Sequence, residues 1–148
     1  MFNILSARIA GCRFLDLFAG TGAVGLEALS RGAELVHWVE SGRQVIPFLK
    51  ENIKELGGMP DQVICMEVLR FLKKGLAVGP FDIIFADPPY QQEWRDVLLG
   101  EIGSGALLAP GGLFILEESA VMEPTDCLGW TLVDRRVYGD SALSFFRS

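Results

Sequence analysis

Short apolar runs alternate along the chain with stretches whose apolar residues recur at helical spacing, which predicts strands separated by helices. Arg13-Phe14-Leu15-Asp16-Leu17-Phe18 reads as a buried strand closed by Ala19-Gly20-Thr21-Gly22. A helix is expected from Gly22 through Leu26 and Leu29, with Gly32 placed to cap it. Leu35-Val36-His37-Trp38-Val39-Glu40 is a second strand. Ser41 is placed as the N-cap of a helix carrying Ile46, Leu49, Ile53 and Leu56, which Gly57-Gly58 ends. Val63-Ile64-Cys65-Met66 is a third strand, followed by a short helix around Leu69 to Lys74. Phe81-Asp82-Ile83-Ile84-Phe85-Ala86 is a fourth, with helix expected from Gln92 to Leu99. Leu113-Phe114-Ile115-Leu116 makes a fifth after the turn at Pro110-Gly111-Gly112. The rhythm then changes: Trp130 to Tyr138 and Ala142 to Arg147 flank Gly139-Asp140-Ser141, a hairpin pattern.

Strands alternating with helices imply βαβ units and a parallel sheet covered on both faces. In such sheets ligands sit beyond the carboxyl ends of the strands, at the switch in strand order. The loops after the first, second and fourth strands are therefore where chemistry is expected.

Composition narrows the class. The 148 residues fit one domain, half are hydrophobic, and the mean hydropathy is +0.33, which excludes disorder. No apolar run approaches the ~18 residues of a spanning helix, and the first residues do not read as a leader peptide, so a cytoplasmic protein is expected. With 13 Lys+Arg against 19 Asp+Glu the net charge is −6, the opposite of the usual nucleic-acid-binding balance. Cys12, Cys65 and Cys127 lack disulfide or zinc spacing and read as reduced thiols. His37 is the single histidine, so no metal site is expected.

Gly20-Thr21-Gly22-Ala23-Val24-Gly25 has the Gly-x-Gly-x-x-Gly form between a strand and a helix, and Glu40 closes the next strand. Alone, the pattern fits a dinucleotide as well as another nucleotide-like cofactor. Asp16, near the end of the first strand, decides between them. Two unit charges ~4 Å apart interact by about 4 kcal/mol at an effective dielectric near 20. That energy is repulsive for a pyrophosphate and attractive for the ammonium and sulfonium of S-adenosylmethionine. The glycines would let the backbone approach the cofactor, and Glu40 could accept both ribose hydroxyls.

Asp87-Pro88-Pro89-Tyr90 follows the fourth strand and should face the same crevice. Each proline fixes φ near ~−65°, and each residue before a proline is pushed towards extended geometry. The result is a stiff turn presenting the Asp87 carboxylate and the Pro88 carbonyl, with Tyr90 as a flat face. Two acceptors gripping the hydrogens of a planar amine favour a pyramidal nitrogen whose lone pair is free to attack. A carboxylate also stabilises the positive charge that develops there. Tyr90 would stack on a base withdrawn from its helix. The amine itself stays open at this level: guanine N2, adenine N6 and a glutamine amide are all planar. Glu27, Glu117 and Glu118 read as solvated or capping carboxylates.

The run from Leu15 to Ala33, together with Phe81 to Tyr90, resembles the RsmD-type 16S ribosomal RNA guanine-N2 methyltransferases. Phe2-Asn3-Ile4-Leu5 and Tyr138-Gly139-Asp140 also fit, so the resemblance covers nearly the whole chain. It implies an α/β class I methyltransferase fold, a Rossmann-like three-layer sandwich with a mostly parallel seven-stranded sheet whose last strand is antiparallel. Residues 1–148 would form a single S-adenosylmethionine-dependent domain. It implies cofactor contacts at Asp16, at the loop Phe18, Ala19, Gly20, Thr21 and Gly22, and at Glu40. Glu67 and Val68 stand where the family places Asp-Ala near the adenine, so Glu67 is a departure from the pattern. Asp87, Pro88, Pro89 and Tyr90 match the catalytic motif without change. The implied partner is 16S rRNA or the small ribosomal particle, with no membrane or metal, and the protein is expected to act as a monomer.

A second departure is at the start, where Met1 falls near the end of the helix that finishes in Phe-Asn-Ile-Leu. Family members usually carry a basic segment before it, so a truncated chain or a late start is expected, with cofactor binding but poor RNA methylation.

Overall fold

The computed structural model describes residues 1–74, 78–90 and 94–148. Seven strands form one sheet in the order β3-β2-β1-β4-β5-β7-β6. They are β1 (Arg13–Leu17), β2 (Leu35–Glu40), β3 (Val63–Cys65), β4 (Phe81–Ala86), β5 (Leu108–Ser119), β6 (Thr131–Tyr138) and β7 (Ser141–Arg147). The pairs among β1 to β5 are parallel, whereas β7 runs antiparallel to both β5 and β6. This is the architecture expected from the sequence, and the order reverses between β1 and β4.

Alternation along each strand sorts side chains onto two faces. Phe14, Trp38, Ile83, Phe85, Leu113 and Ile115 pack with α1 (Phe2–Ile9), α2 (Ala23–Ser30) and α3 (Ile46–Glu55). Leu15, Leu17, Ile84, Phe114 and Leu116 pack on the other side with α4 (Val68–Lys74) and α5 (Trp94–Gly103).

Helix ends follow local chemistry. Gly32 (φ 91°) ends α2: its amide donates to Leu29 O and that of Ala33 to Ala28 O. Gly57 (φ 76°) does the same for α3 through Lys54 O, with Gly58 donating to Ile53 O. Several boundaries differ from the sequence reading, among them the end of α5, which runs past Leu99 to Gly103. Helix α3 starts after Val45 rather than Ser41, because Gly42 donates its amide to Glu40 Oε1 and folds the intervening residues into a turn around that carboxylate. Strand β5 begins at Leu108, since a register shift between Phe81 and Ile83 absorbs the Pro110-Gly111-Gly112 irregularity. Helix α1 runs past Leu5 to Ile9, with Leu5 and Ile9 buried against the sheet. The expected helix start at Gln92 lies outside the described residues.

Candidate functional site

Four carboxylates gather at the carboxyl ends of four adjacent strands: Glu40, Asp16 and Glu117 within β2, β1 and β5, and Asp87 one residue past β4. Glu40 continues the alternation of Val36 and Trp38, Asp16 that of Phe14, Asp87 that of Ile83 and Phe85, and Glu117 that of Leu113 and Ile115. Asp16 is 2% exposed, and its Oδ2 accepts the Gly25 amide at 2.9 Å. Burial pushes its carboxyl up to about 8; the Gly25 hydrogen bond opposes the rise, and the charges of Asp87 and Glu40 add to it.

Glu40 is held by backbone: Oε2 accepts the Gly20 amide at 2.7 Å and Oε1 the Gly42 amide at 2.6 Å. Each oxygen keeps a further lone pair for a ligand hydroxyl. Glu40 borders a cavity of about 200 Å³ with Phe18, Ser41, Glu67, Val68 and Trp94. Of the expected cofactor residues, Phe18, Glu40, Glu67 and Val68 therefore come together around one space. Asp16 lies within the sheet layer beneath α2, and Ala19, Gly20, Thr21 and Gly22 form the loop between them. Phe18 adopts φ 59°, costly for a residue with a side chain, and its ring meets Trp94 edge-on at 5.0 Å.

The glycines divide differently from the sequence reading. A Cβ on Gly22 would lie 2.2 Å from Leu49 Cδ1, and one on Gly25 would lie 2.2 Å from Trp38 Nε1. Gly22 (φ 83°) also sits in the left-handed region, with Leu49 of α3 against its Cβ position, and Gly25 lies where α2 presses on Trp38 of the sheet. Gly20 (φ 54°) has no atom within 4 Å of its Cβ position, so it is the glycine of the motif whose backbone faces open space.

Across the crevice, Pro88, Pro89 and Tyr90 line a second cavity of about 190 Å³ with Trp94, Arg95 and the end of β5. Pro89 and Trp94 border both cavities and form the ridge between them. The Trp94 Nε1 is buried without a partner among the described residues. Desolvation, then the neighbouring Glu117 charge, holds the Asp87 carboxyl above the usual carboxylate range. Tyr90 is 64% exposed, its hydroxyl in contact with Ser141 Oγ and 3.4 Å from Glu117 Oε1.

The floor of this second cavity is an ion pair the sequence did not disclose. Arg95 Nε and Nη2 donate to Glu118 Oε2 and Oε1 at 2.8 and 2.5 Å, and Nη1 donates to Glu123 O at 2.7 Å. Ser144 Oγ donates to Glu118 Oε1 at 2.5 Å. Glu118 is thus a buried structural partner and Glu117 lines the cavity, whereas both were read as solvated or capping. Glu27 meets the expectation: it is surface-exposed and paired with Arg31. The signal for Glu117 and Glu118 was their place at the carboxyl end of the fifth strand, the side on which the crevice opens. Among the described residues, no group of His, Cys, Asp and Glu converges as metal ligands.

The family model described as "Conserved hypothetical protein 95" matches residues 1–147. The chain belongs to this family. Its relatives include ribosomal RNA small subunit methyltransferase D of Escherichia coli, 32% identical over 99% of this chain and 74% of that protein. The protein of the same name from Buchnera aphidicola is 32% identical over 93% of this chain and 71% of that one. A crystal structure of a putative methylase from Haemophilus influenzae superposes with a TM-score of 0.86 at 31% identity, covering 98% of this chain and 91% of that one.

Proposed function

We propose that this chain is an S-adenosylmethionine-dependent methyltransferase acting on the exocyclic N2 amine of a guanine in small-subunit ribosomal RNA. The observation that carries this is the set of carboxylates Glu40, Asp16, Asp87 and Glu117 gathered at the carboxyl ends of the strands. A pyrophosphate there would meet acids from four neighbouring strands, whereas an ammonium and a sulfonium are attracted to them in their ionised form. The names of the relatives support rRNA as the acceptor, and with it a cytoplasmic site of action.

The residues around the first cavity fit such a cofactor. Glu40 offers lone pairs for a ribose, Phe18 and Val68 offer apolar walls for an adenine, and the Trp94 indole N–H has no partner among the described residues. When bound, S-adenosylmethionine would supply an electrophilic methyl group on positively charged sulfur, with a neutral thioether as the leaving group. The protein's part is to deliver the acceptor. Asp87 and the Pro88 carbonyl accept the two amine hydrogens and turn the nitrogen lone pair towards the ridge at Pro89 and Trp94. The positive charge that develops on nitrogen as it is methylated would be stabilised by the Asp87 carboxylate. The nitrogen then loses a proton to Asp87, whose raised proton affinity suits that role. Tyr90, anchored through its hydroxyl on Ser141, presents its ring to a stacked base.

The test is Asp87→Ala. Transfer of tritiated methyl groups to small ribosomal particles should fall by roughly 10²–10³-fold, the usual loss when one transition-state partner is removed. Cofactor affinity measured by calorimetry should stay within about twofold. Equal loss of both would assign Asp87 to cofactor binding or folding instead.

A further inference from the structure

We propose that Glu117 selects guanine as the acceptor by accepting the hydrogen on ring nitrogen N1. The inference rests on the amine-transfer reading above and goes beyond it by naming the group that tells one planar amine from another.

The placement follows from strand register. Strands β4 and β5 pair Ile84 with Phe114, Phe85 with Ile115 and Ala86 with Leu116. Continuing that register one rung past the end of β4 would set Glu117 beside Asp87, at the ~4.8 Å spacing of neighbouring strands, and the Glu117 charge does act on Asp87. Glu117 lines the cavity shared by Pro88, Pro89 and Tyr90, and its Oε1 stands 3.4 Å from the Tyr90 hydroxyl. A base stacked on the Tyr90 ring therefore has this carboxylate at its edge. The Tyr90 hydroxyl reaches Glu117 only at Oε1, so the carboxylate keeps lone pairs with which to accept from a ligand.

Counting donors then separates the three amines. On this reading the base would meet three acceptors: the Pro88 carbonyl, the carboxylate of Asp87 next to it in the chain, and the Glu117 carboxylate, whose charge Asp87 feels. Guanine offers three adjacent N–H bonds along one edge, two on N2 and one on N1. The adenine amine is flanked by ring nitrogens bearing lone pairs, and the glutamine amine by a carbonyl oxygen. With either of those, Glu117 would lose a donor and face a lone pair. A charged acceptor left without its donor weakens binding by roughly 10–100-fold. Two carboxylates side by side also repel each other until donors lie between them, and a three-donor edge relieves that repulsion. The raised proton affinity of Asp87, part of it owed to Glu117, reports the same crowding.

The experiment first locates the modified nucleotide by mass spectrometry of small-subunit particles treated with the native chain and S-adenosylmethionine. Particles are then reconstituted with 2-aminopurine at that nucleotide, which keeps the amine but carries a lone pair at N1 in place of the hydrogen. The native protein should prefer guanine by roughly 10–100-fold in kcat/KM. Glu117→Ala should lower the guanine rate by about that factor, spare 2-aminopurine and so erase the preference. Glu117→Gln, which keeps a neutral acceptor, should lie between the two. Equal losses on both bases in Glu117→Ala would overturn the proposal and make Glu117 a structural group, as would a native preference that survives the substitution. Cofactor affinity by calorimetry, unchanged in both variants, guards against misfolding. The parent reading fails separately, when the native protein yields no N2-methylguanosine; a different methylated base would overturn both.

Discussion

The two ends of the crevice are built by different means. At the β1–β2 end the backbone does the bracing: Glu40 is tied to the amides of Gly20 and Gly42, Asp16 to that of Gly25, and α2 lies close enough to the sheet that Gly22 and Gly25 meet Leu49 and Trp38. At the β4–β5 end, side chains distant in sequence do it, with Arg95 bridging Glu118 and Tyr90 reaching Ser141. Among the described residues, no protein group donates to the Asp87 carboxylate. One end is made rigid in advance, and the other keeps its acceptors free for the group that reacts. A cofactor used in every turnover suits the first, and a base that must enter and leave suits the second.

The largest effect should come from breaking the side-chain end. Arg95→Ala leaves Glu118 buried without its partner, and losing one member of a buried pair costs about 3–5 kcal/mol. Thermal unfolding should show it, and Arg95→Ala combined with Glu118→Ala should recover part of the loss. An intact melting point would mean that the ion pair does not hold this end.

Next is Gly25→Ala, whose Cβ would meet the Trp38 indole. Overpacking of this kind costs about 1–3 kcal/mol, read as a lower unfolding midpoint in denaturant. Gly20→Ala, with open space at its Cβ position, should lose only about 1 kcal/mol from its positive φ. It should weaken cofactor binding more than it weakens the fold. If the two glycines behave alike, the division between packing and binding glycines is wrong.

Asp16→Asn probes the buried acid. Its folded-state pKa of about 8 lies above the ordinary 3.8. Between those values the unfolded chain has released the proton and the folded chain holds it, so stability falls as pH rises from about 4 to 8. Asparagine removes that slope while keeping an acceptor for the Gly25 amide, so the variant should be the more stable at pH 7, with a flatter pH profile. A positively charged ligand draws the pKa back down. In the native protein cofactor binding should therefore strengthen with pH up to about 8 and release a proton into a weakly buffered solution. Binding that is indifferent to pH would remove Asp16 from the charge argument.

The same contrast explains what was legible in the sequence. Strand alternation, the glycines ending α2 and α3, and the two loop motifs are local signals, and each appears where the residues placed it. Glu40 was legible as a strand-end acid, but not that its turn would delay α3 to Ile46. Glu117 could not be told from a solvated acid, because its neighbour Asp87 is supplied by the β4–β5 register and not by spacing along the chain. Arg95 and Glu118 were hidden for the same reason, since their pairing exists only once α5 lies on the sheet. The close neighbours of Gly22 and Gly25 were not legible either, because Leu49 and Trp38 are supplied by α3 and the next strand.

The ridge of Pro89 and Trp94 carries a stereochemical consequence. On the proposed reading the methyl group crosses this ridge, and neither side chain owns an atom that could take it up and pass it on, so the carbon would move in a single displacement. A methyl group made chiral with hydrogen, deuterium and tritium should therefore emerge on the base with its handedness inverted.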